Sequence, residues 1–167
     1  MKPHLTEEDF KSAAESLDCE VAAIQAVADI ESAGDGFLSN DEPKILFEAH
    51  HFSRLTYHIY DAAHPDISSR AWNRALYKGG TLEHDRLRKA TSLDRGAALM
   101  SCSWGKFQIL GSNYAVCGYA TLQDFINDMF ESEAKHLKAF VGFILSTHLD
   151  APLRTRKWAD FASGYNG

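Results

Sequence analysis

The hydrophobic residues of this chain recur at helical spacing along most of its length. The pattern Thr6-Glu-Glu-Asp9 is typical of a capping box and predicts a first helix that ends near Leu17. A second helix is predicted over about residues 20–33, because one stripe carries its apolar residues Val21, Ile24, Val27 and Ala28. Gly34 offers a natural stop for this helix.

Helical spacing returns in four later segments. These are about 50–60, about 83–100, a long stretch that starts at the capping box Thr121–Asp124 and breaks near Ser132, and a last helix from Trp158. Residues 44–48 read as an extended segment that forms a small hairpin with Phe37 and Leu38. Residues 61–80 are irregular and predict a long surface loop. The pattern therefore predicts a mainly helical fold with a small β-hairpin element.

The bulk composition indicates one globular domain over residues 1–167. A chain of 167 residues buries about two-thirds of its unfolded surface. A net charge of −6 without a dense basic run argues against nucleic acid and against a polybasic membrane anchor. No apolar stretch is long enough to span a bilayer, and the N-terminal residues lack a signal-peptide core. We therefore expect synthesis as a cytosolic protein.

Cysteine and histidine do not form a metal-binding pattern. Cys19, Cys102 and Cys117 are an odd number without metal-type spacing, so we interpret them as reduced thiols. His50 and His51 are adjacent, and neighbouring side chains on a regular element point apart. We expect no metal site.

Glu31 is a carboxylate placed in the apolar stripe of the second predicted helix. It follows Ile24 by seven residues and Val27 by four, within about 20° of the stripe. Burial and the partial negative charge of a helix C-terminus both raise the pKa of a carboxyl group at such a position. A general acid that works near neutral pH needs such a shift. Taken alone, a Glu near a helix end is more often solvated. A catalytic role for Glu31 therefore depends on the other motifs of the chain.

Two further segments combine glycine with polar and aromatic residues. In Ser103-Trp-Gly-Lys-Phe-Gln-Ile109, Gly105 permits close backbone approach, while Ser103 and Gln108 offer hydrogen-bonding groups beside two aromatic rings. Tyr165 and Asn166 supply a phenol and an amide near a helix boundary. Hydroxyl-binding groups beside aromatic faces suit a sugar.

In this order the motifs resemble the lysozyme-like superfamily, and most closely the N-acetylmuramidase domain family of bacteriophage endolysins. The resemblance extends from about residue 10 to the end of the chain. Four segments carry it: Ile30-Glu-Ser-Ala-Gly-Asp-Gly-Phe37, Pro43-Lys-Ile-Leu-Phe-Glu-Ala-His50, Ser103-Trp-Gly-Lys-Phe-Gln-Ile109 and Tyr165-Asn-Gly167.

The resemblance implies a lysozyme-like two-lobed helical domain with the small β-element bordering a glycan cleft. Glu31 matches the catalytic glutamate of the family. The implied substrate is peptidoglycan, cut between N-acetylmuramic acid and N-acetylglucosamine, and no cofactor is implied. We expect these residues to bind the substrate: Asp35, Phe37, Ser103, Gln108, Tyr165 and Asn166.

The second carboxylate is open at this point. Glu48 is the leading candidate, since it follows an apolar run in the β-element. A structural pair with a nearby Arg or His is an equally good interpretation of Glu48, and Asp35 is a third option. Carboxyl groups about 6.5–9.5 Å apart predict inversion, and about 5 Å predicts retention through a covalent intermediate.

Two alternatives to hydrolysis stay open. Attack by the substrate's own acetamido group would give the 1,6-anhydro product of a lytic transglycosylase, and a domain that had lost turnover would be a non-catalytic glycan-binding module. Family members typically continue with another helix after the Tyr-Asn-Gly motif, so we expect a missing closing helix. We also expect a monomer that collects in the host cytoplasm and is then released to the cell wall.

Overall fold

The computed structural model describes residues 2–32 and 34–166, and the side chains of Glu31, Ser32 and Asn166 lie outside that description. Most of the described chain is helical. The helices are α1 Glu7–Leu17, α2 Val21–Ser32, α3 Ala49–Leu55, α4 Thr81–Thr91, α5 Arg95–Met100, α6 Leu122–Glu131, α7 Glu133–Ser146, α8 Asp150–Arg154 and α9 Trp158–Asn166. Helix α1 packs against α2 and α7, α6 packs against α7, and α8 packs against α9.

A three-stranded antiparallel sheet lies among these helices. Its strands are β1 Ile45–Phe47, β2 Cys102–Trp104 and β3 Ile109–Leu110, in the order β1-β2-β3. Ser103 lies opposite Leu46 on one side and Leu110 on the other, and all three are half-buried. Since side chains alternate across a strand, the neighbours Cys102 and Trp104 point into the core, where both are fully buried.

The prediction of a mainly helical domain with a small β-element is confirmed. The predicted capping box is present at the start of α1, where Thr6 and Asp9 bond reciprocally. The predicted break near Ser132 is also confirmed, because Ser132 is extended and its hydroxyl accepts a hydrogen bond from the amide of Lys135 at the start of α7.

Two helix predictions were wrong in their bounds. The helix predicted over 50–60 ends at Leu55, because Tyr57 and His58 adopt left-handed backbone angles. The helix predicted over 83–100 is two helices, since Asp94 is extended and caps α5 through the amide of Ala97. The short helix α8 was not predicted.

The predicted hairpin is only partly present. Phe37 forms a single β-bridge with Pro43, and the amide of Lys44 donates to the carbonyl of Gly36 at 2.8 Å. The continuous partner of β1 is β2, which the sequence pattern did not predict as a strand.

The core is one cluster that joins the helices to the sheet. Its largest fully buried side chains include Trp104, Phe47, Phe52, Phe107, Phe125 and Phe140. Cys102 and Cys117 are buried free thiols, and Cys19 is half-buried and also free. Within the described residues, no helix has the length and hydrophobicity needed to cross a membrane.

Candidate active site

A cleft of about 470 Å³ lies beside the sheet. Four of the residues predicted for the site line it: Glu48, Ser103, Gln108 and Tyr165. The other lining residues were not among the predicted site residues, although Phe107 and Ile109 belong to the 103–109 segment; they are Phe107, Ile109, Leu110, Asn113, Phe143 and Gly164. Polar groups therefore share this cleft with aromatic and aliphatic side chains, as a sugar-binding surface requires.

Glu48 follows strand β1 directly and precedes α3. Its amide donates to the carbonyl of Ser101 at 2.9 Å, and its side chain is 15% exposed. The carboxylate accepts a hydrogen bond from the Tyr77 hydroxyl, and His50 Nδ1 lies 3.5 Å from the same oxygen, Oε2. Glu48 thus has a neighbouring histidine, which agrees with the interpretation of Glu48 as a structural pair. It also lines the cleft, which agrees with the interpretation of Glu48 as the second carboxylate.

The turn between β2 and β3 holds Gln108 in place. Gly105 has φ +67°, and Gln108 has φ +47°, a left-handed angle that a residue with a side chain seldom adopts. The Gln108 side-chain amide donates to the carbonyl of Gly105 at 2.8 Å. The side chain therefore closes the turn and lines the cleft at once.

Tyr165 fastens the last helix to the same turn. Its hydroxyl donates to the carbonyl of Phe107 at 2.7 Å. Its ring is stacked on Phe161 and meets Phe140 and Phe143 edge to face. The side chain of Asn166 lies outside the described residues.

Glu31 is in the last turn of α2, four residues beyond the buried Val27. Its side chain lies outside the described residues, so its predicted burial stays a prediction. The segment that follows is tied to the β2–β3 turn, because Lys106 Nζ donates to the carbonyl of Gly34 at 2.8 Å. Gly34 and Tyr165 thus both contact the turn around residues 105–108.

Asp35 and Phe37 lie in a different groove from Ser103 and Gln108. This second groove, of about 450 Å³, is also lined by Lys2 and His4. Phe37 is buried and its ring is stacked on His136, with centroids 4.9 Å apart. A role of Asp35 and Phe37 in substrate binding stays a prediction.

Among the described residues, His4, Asp35 and Glu133 bring possible metal-binding atoms within 4.8 Å of one another. Glu133 already accepts hydrogen bonds from the amides of Gly36 and Leu5, and Lys106 Nζ lies 3.4 Å away. Burial acts to raise the pKa of Glu133, but these amides and the ammonium outweigh it, and the pKa lies below its ordinary value. Glu133 therefore anchors the backbone at residues 5 and 36.

A mainly helical domain with a small antiparallel sheet beside a polar, aromatic-lined cleft has the lysozyme-like architecture. Residues 20–167 match the N-acetylmuramidase (Muramidase) family over most of the chain. The chain belongs to this family.

A solved structure has the same fold. The endolysin of the Burkholderia phage AP3 superposes with a TM-score of 0.92 at 38% sequence identity. The match covers 98% of this chain and 64% of that endolysin, so the chain spans less than two-thirds of its length. No curated protein sequence matches the chain.

Proposed function

We propose that this chain is a peptidoglycan hydrolase that cleaves the β-1,4 bond between N-acetylmuramic acid and N-acetylglucosamine. The observation that carries the proposal is the cleft in which Glu48, Ser103, Gln108 and Tyr165 meet. Membership of the N-acetylmuramidase family and the likeness to a phage endolysin support the same activity.

Glu31 is the proton donor in this proposal. Cleavage of a glycosidic bond needs a proton on the leaving oxygen and stabilisation of an oxocarbenium-like centre. Glu31 occupies the last turn of α2, where the partial negative charge of the helix terminus favours the protonated form of a carboxyl group. The contact between Lys106 and Gly34 draws this helix end towards the turn that carries Gln108.

Glu48 is the second carboxylate in this proposal. It is half-buried, lines the cleft and follows strand β1, whose neighbour β2 carries Ser103. Its negative charge stabilises the developing positive charge on the sugar ring or orients a water molecule. Ser103 and Gln108 contact sugar hydroxyl or acetamido groups, and the protein acts on glycan strands as a monomer released from the host cytoplasm.

Replacement of Glu31 by Gln tests the proposal. Loss of the transferable proton should lower the release of muropeptides from purified sacculi by about 10²-fold or more, with little change in thermal stability. Asp29→Asn is the matched control, because Asp29 is exposed on the same helix, and it should keep full activity.

Mass spectrometry of the released muropeptides identifies the reaction. Hydrolysis is expected to leave a reducing-end muramic acid. A 1,6-anhydro end would show instead that the reaction is transglycosylation. Wild-type protein that binds sacculi without releasing muropeptides, or a Glu31→Gln variant that still lyses them, would contradict the proposal.

A further inference from the structure

Tyr77 contacts the cleft residue Glu48 from the loop between α3 and α4. It directly follows a 3₁₀ turn at Arg74–Leu76 and is half-buried. Its hydroxyl donates to Glu48 Oε2. Within the described residues, the Tyr77 hydroxyl and His50 Nδ1 both lie against Oε2 of Glu48. Oε1 of Glu48 is therefore the oxygen that is available to a sugar or a water molecule.

The phenol is a lasting hydrogen-bond donor at this position. Burial raises the pKa of Tyr77 well above its ordinary value, and the Glu48 carboxylate raises it further. The hydroxyl is therefore protonated at neutral pH and donates to the carboxylate.

A buried ion pair on α4 holds the backbone next to both partners. Glu83 is fully buried and accepts hydrogen bonds from the amides of Phe47 at 3.0 Å, Lys78 at 2.6 Å and Gly79 at 3.1 Å. Arg86 donates to Glu83 at 2.8 Å and to the carbonyl of Phe47 at 2.9 Å. Phe47 precedes Glu48 and Lys78 follows Tyr77, so one carboxylate fixes both chain segments.

The guanidinium of Arg86 also lies over the aromatic rings on either side. It is 5.1 Å from the centre of the Phe47 ring and 5.9 Å from that of Tyr77. Trp72, which is 60% exposed, also contacts Tyr77, with 6.2 Å between ring centres. The Tyr77 ring therefore has a buried cation and an indole as neighbours, and its hydroxyl donates to Glu48.

We propose that Tyr77 is a positioning residue, whose hydroxyl keeps the Glu48 carboxylate in the orientation that serves the reaction. This inference rests on the proposed function. A carboxylate on a flexible side chain spends part of its time in unproductive rotamers. A fixed donor on one oxygen removes that freedom and keeps the other oxygen towards the substrate.

Tyr77→Phe tests the inference with loss of a single oxygen atom. On soluble, uncrosslinked glycan strands we expect kcat to fall about tenfold or more, the loss expected for a hydrogen bond to a charged group, with KM unchanged. Tyr119→Phe is the matched control, because the Tyr119 hydroxyl also donates to a carboxylate, Asp128 Oδ2 at 2.8 Å, outside the cleft. It should leave kcat unchanged.

A double-mutant cycle separates positioning from a general structural effect. In a Glu48→Gln background, Tyr77→Phe should cause no further loss of kcat, since the two residues act together. Unchanged kcat in Tyr77→Phe, or additive losses in the double variant, would overturn the inference while the proposed function stands. Unchanged kcat in Glu48→Gln would overturn the inference and the role proposed for Glu48, while the proposed hydrolysis itself stands. Failure of the wild-type protein to release muropeptides would instead overturn the proposed function, and the inference with it.

Discussion

His136 lies between two glycine-containing segments, one around Gly36 and one around Gly105. Its Nε2–H donates to the carbonyl of Met129 at 2.8 Å, and its Nδ1 accepts the amide of Lys106 at 3.0 Å. A Cβ atom on either Gly36 or Gly105 would lie 2.7 Å from Nδ1. The imidazole therefore fills the space that both glycines leave open, and its hydrogen bonds require the neutral tautomer with the proton on Nε2.

Gly105→Ala should be markedly destabilising. The new methyl group would meet the buried imidazole of His136, and φ at this position is +67°. We expect a loss of about 2–4 kcal/mol in the free energy of unfolding, from backbone strain and overpacking together. Urea denaturation measures this loss.

Gly118→Ala is the control for strain alone. Gly118 has φ +87°, and a Cβ there meets no atom within 4 Å. This variant should lose only about 1 kcal/mol. Equal losses in the two variants would contradict the role given to His136.

At the residue scale, sequence reasoning found the cleft residues that belong to ordered motifs. Glu48, Ser103, Gln108 and Tyr165 share one cleft, and each had been noted for its polar group beside glycine or an apolar run. The sequence could not reveal the pairing of Tyr77 with Glu48, because the two residues are 29 positions apart and only the fold brings them together. The cleft residue Asn113 could have been predicted, because it is a polar residue that follows Gly111 and Ser112.

At the scale of elements, α4 is an unusual helix because its inner face carries Glu83, His84 and Arg86, all buried. Burial acts to raise the pKa of Glu83, but the amides of Lys78, Phe47 and Gly79 and the charge of Arg86 outweigh it, so the pKa lies below its ordinary value. Helix α4 thus stabilises β1 and the end of the 61–80 loop through charge as well as through packing.

Glu83→Gln should cost about 3 kcal/mol in the free energy of unfolding, because it leaves the Arg86 charge buried without its partner. Asp85→Asn is the control on the same helix. Asp85 pairs with Arg88 at the surface, where its side chain is 58% exposed, and its replacement should cost less than about 1 kcal/mol. Thermal and urea unfolding compare the two variants. A similarly small loss of stability in both would contradict the role of Glu83 in holding β1 and the loop through its bonds to Phe47, Lys78 and Gly79.

Element boundaries were predictable where a local signal exists. The capping-box sequence patterns at Thr6 and Thr121 start helices at the next residue, and Ser132 separates α6 from α7. The break at Asp94 was missed because the apolar spacing continues across it. Strands β2 and β3 have three and two residues, too few to show an alternating pattern. Helix α8 has five residues, which is also too few to show a helical pattern in the sequence.

At the scale of the whole molecule, stability should fall in mild acid. Burial lowers the pKa of His136, and burial with the charges of His50 and Arg54 lowers the pKa of His51 to about 4. Unfolded histidine titrates near 6.5. Below that pH the unfolded chain binds more protons than the folded chain, so the free energy of unfolding decreases as pH falls.

Urea denaturation at pH 7.5 and pH 5.5 measures this effect. We expect lower stability at pH 5.5, and a smaller difference in His51→Asn. The carboxylates whose pKa is lowered, such as Glu83 and Glu133, add their own loss only at more acidic pH, below about 4.5. Stability that is level or higher at pH 5.5 would contradict the assignment of neutral, buried imidazoles.

The fold class was predictable from the whole chain because helical spacing dominates it and four ordered motifs agree with one family. Long-range pairings were not predictable. The pairing of β1 with β2, the contact of Tyr165 with Phe107 and the contact of Lys106 with Gly34 join residues 55 to 72 positions apart. No local pattern encodes such contacts, which depend on how the helices pack.

Because the carboxylate of Glu83 fastens β1 and the end of the 61–80 loop together, neither can be redesigned alone. A longer loop grafted here must still offer two main-chain NH groups where Lys78 and Gly79 now offer them. Redesign of the loop therefore has most freedom at exposed positions ahead of that anchorage, such as Ala62, Ala63 and Ala71, and least at Ile67 and Ser68, which are buried.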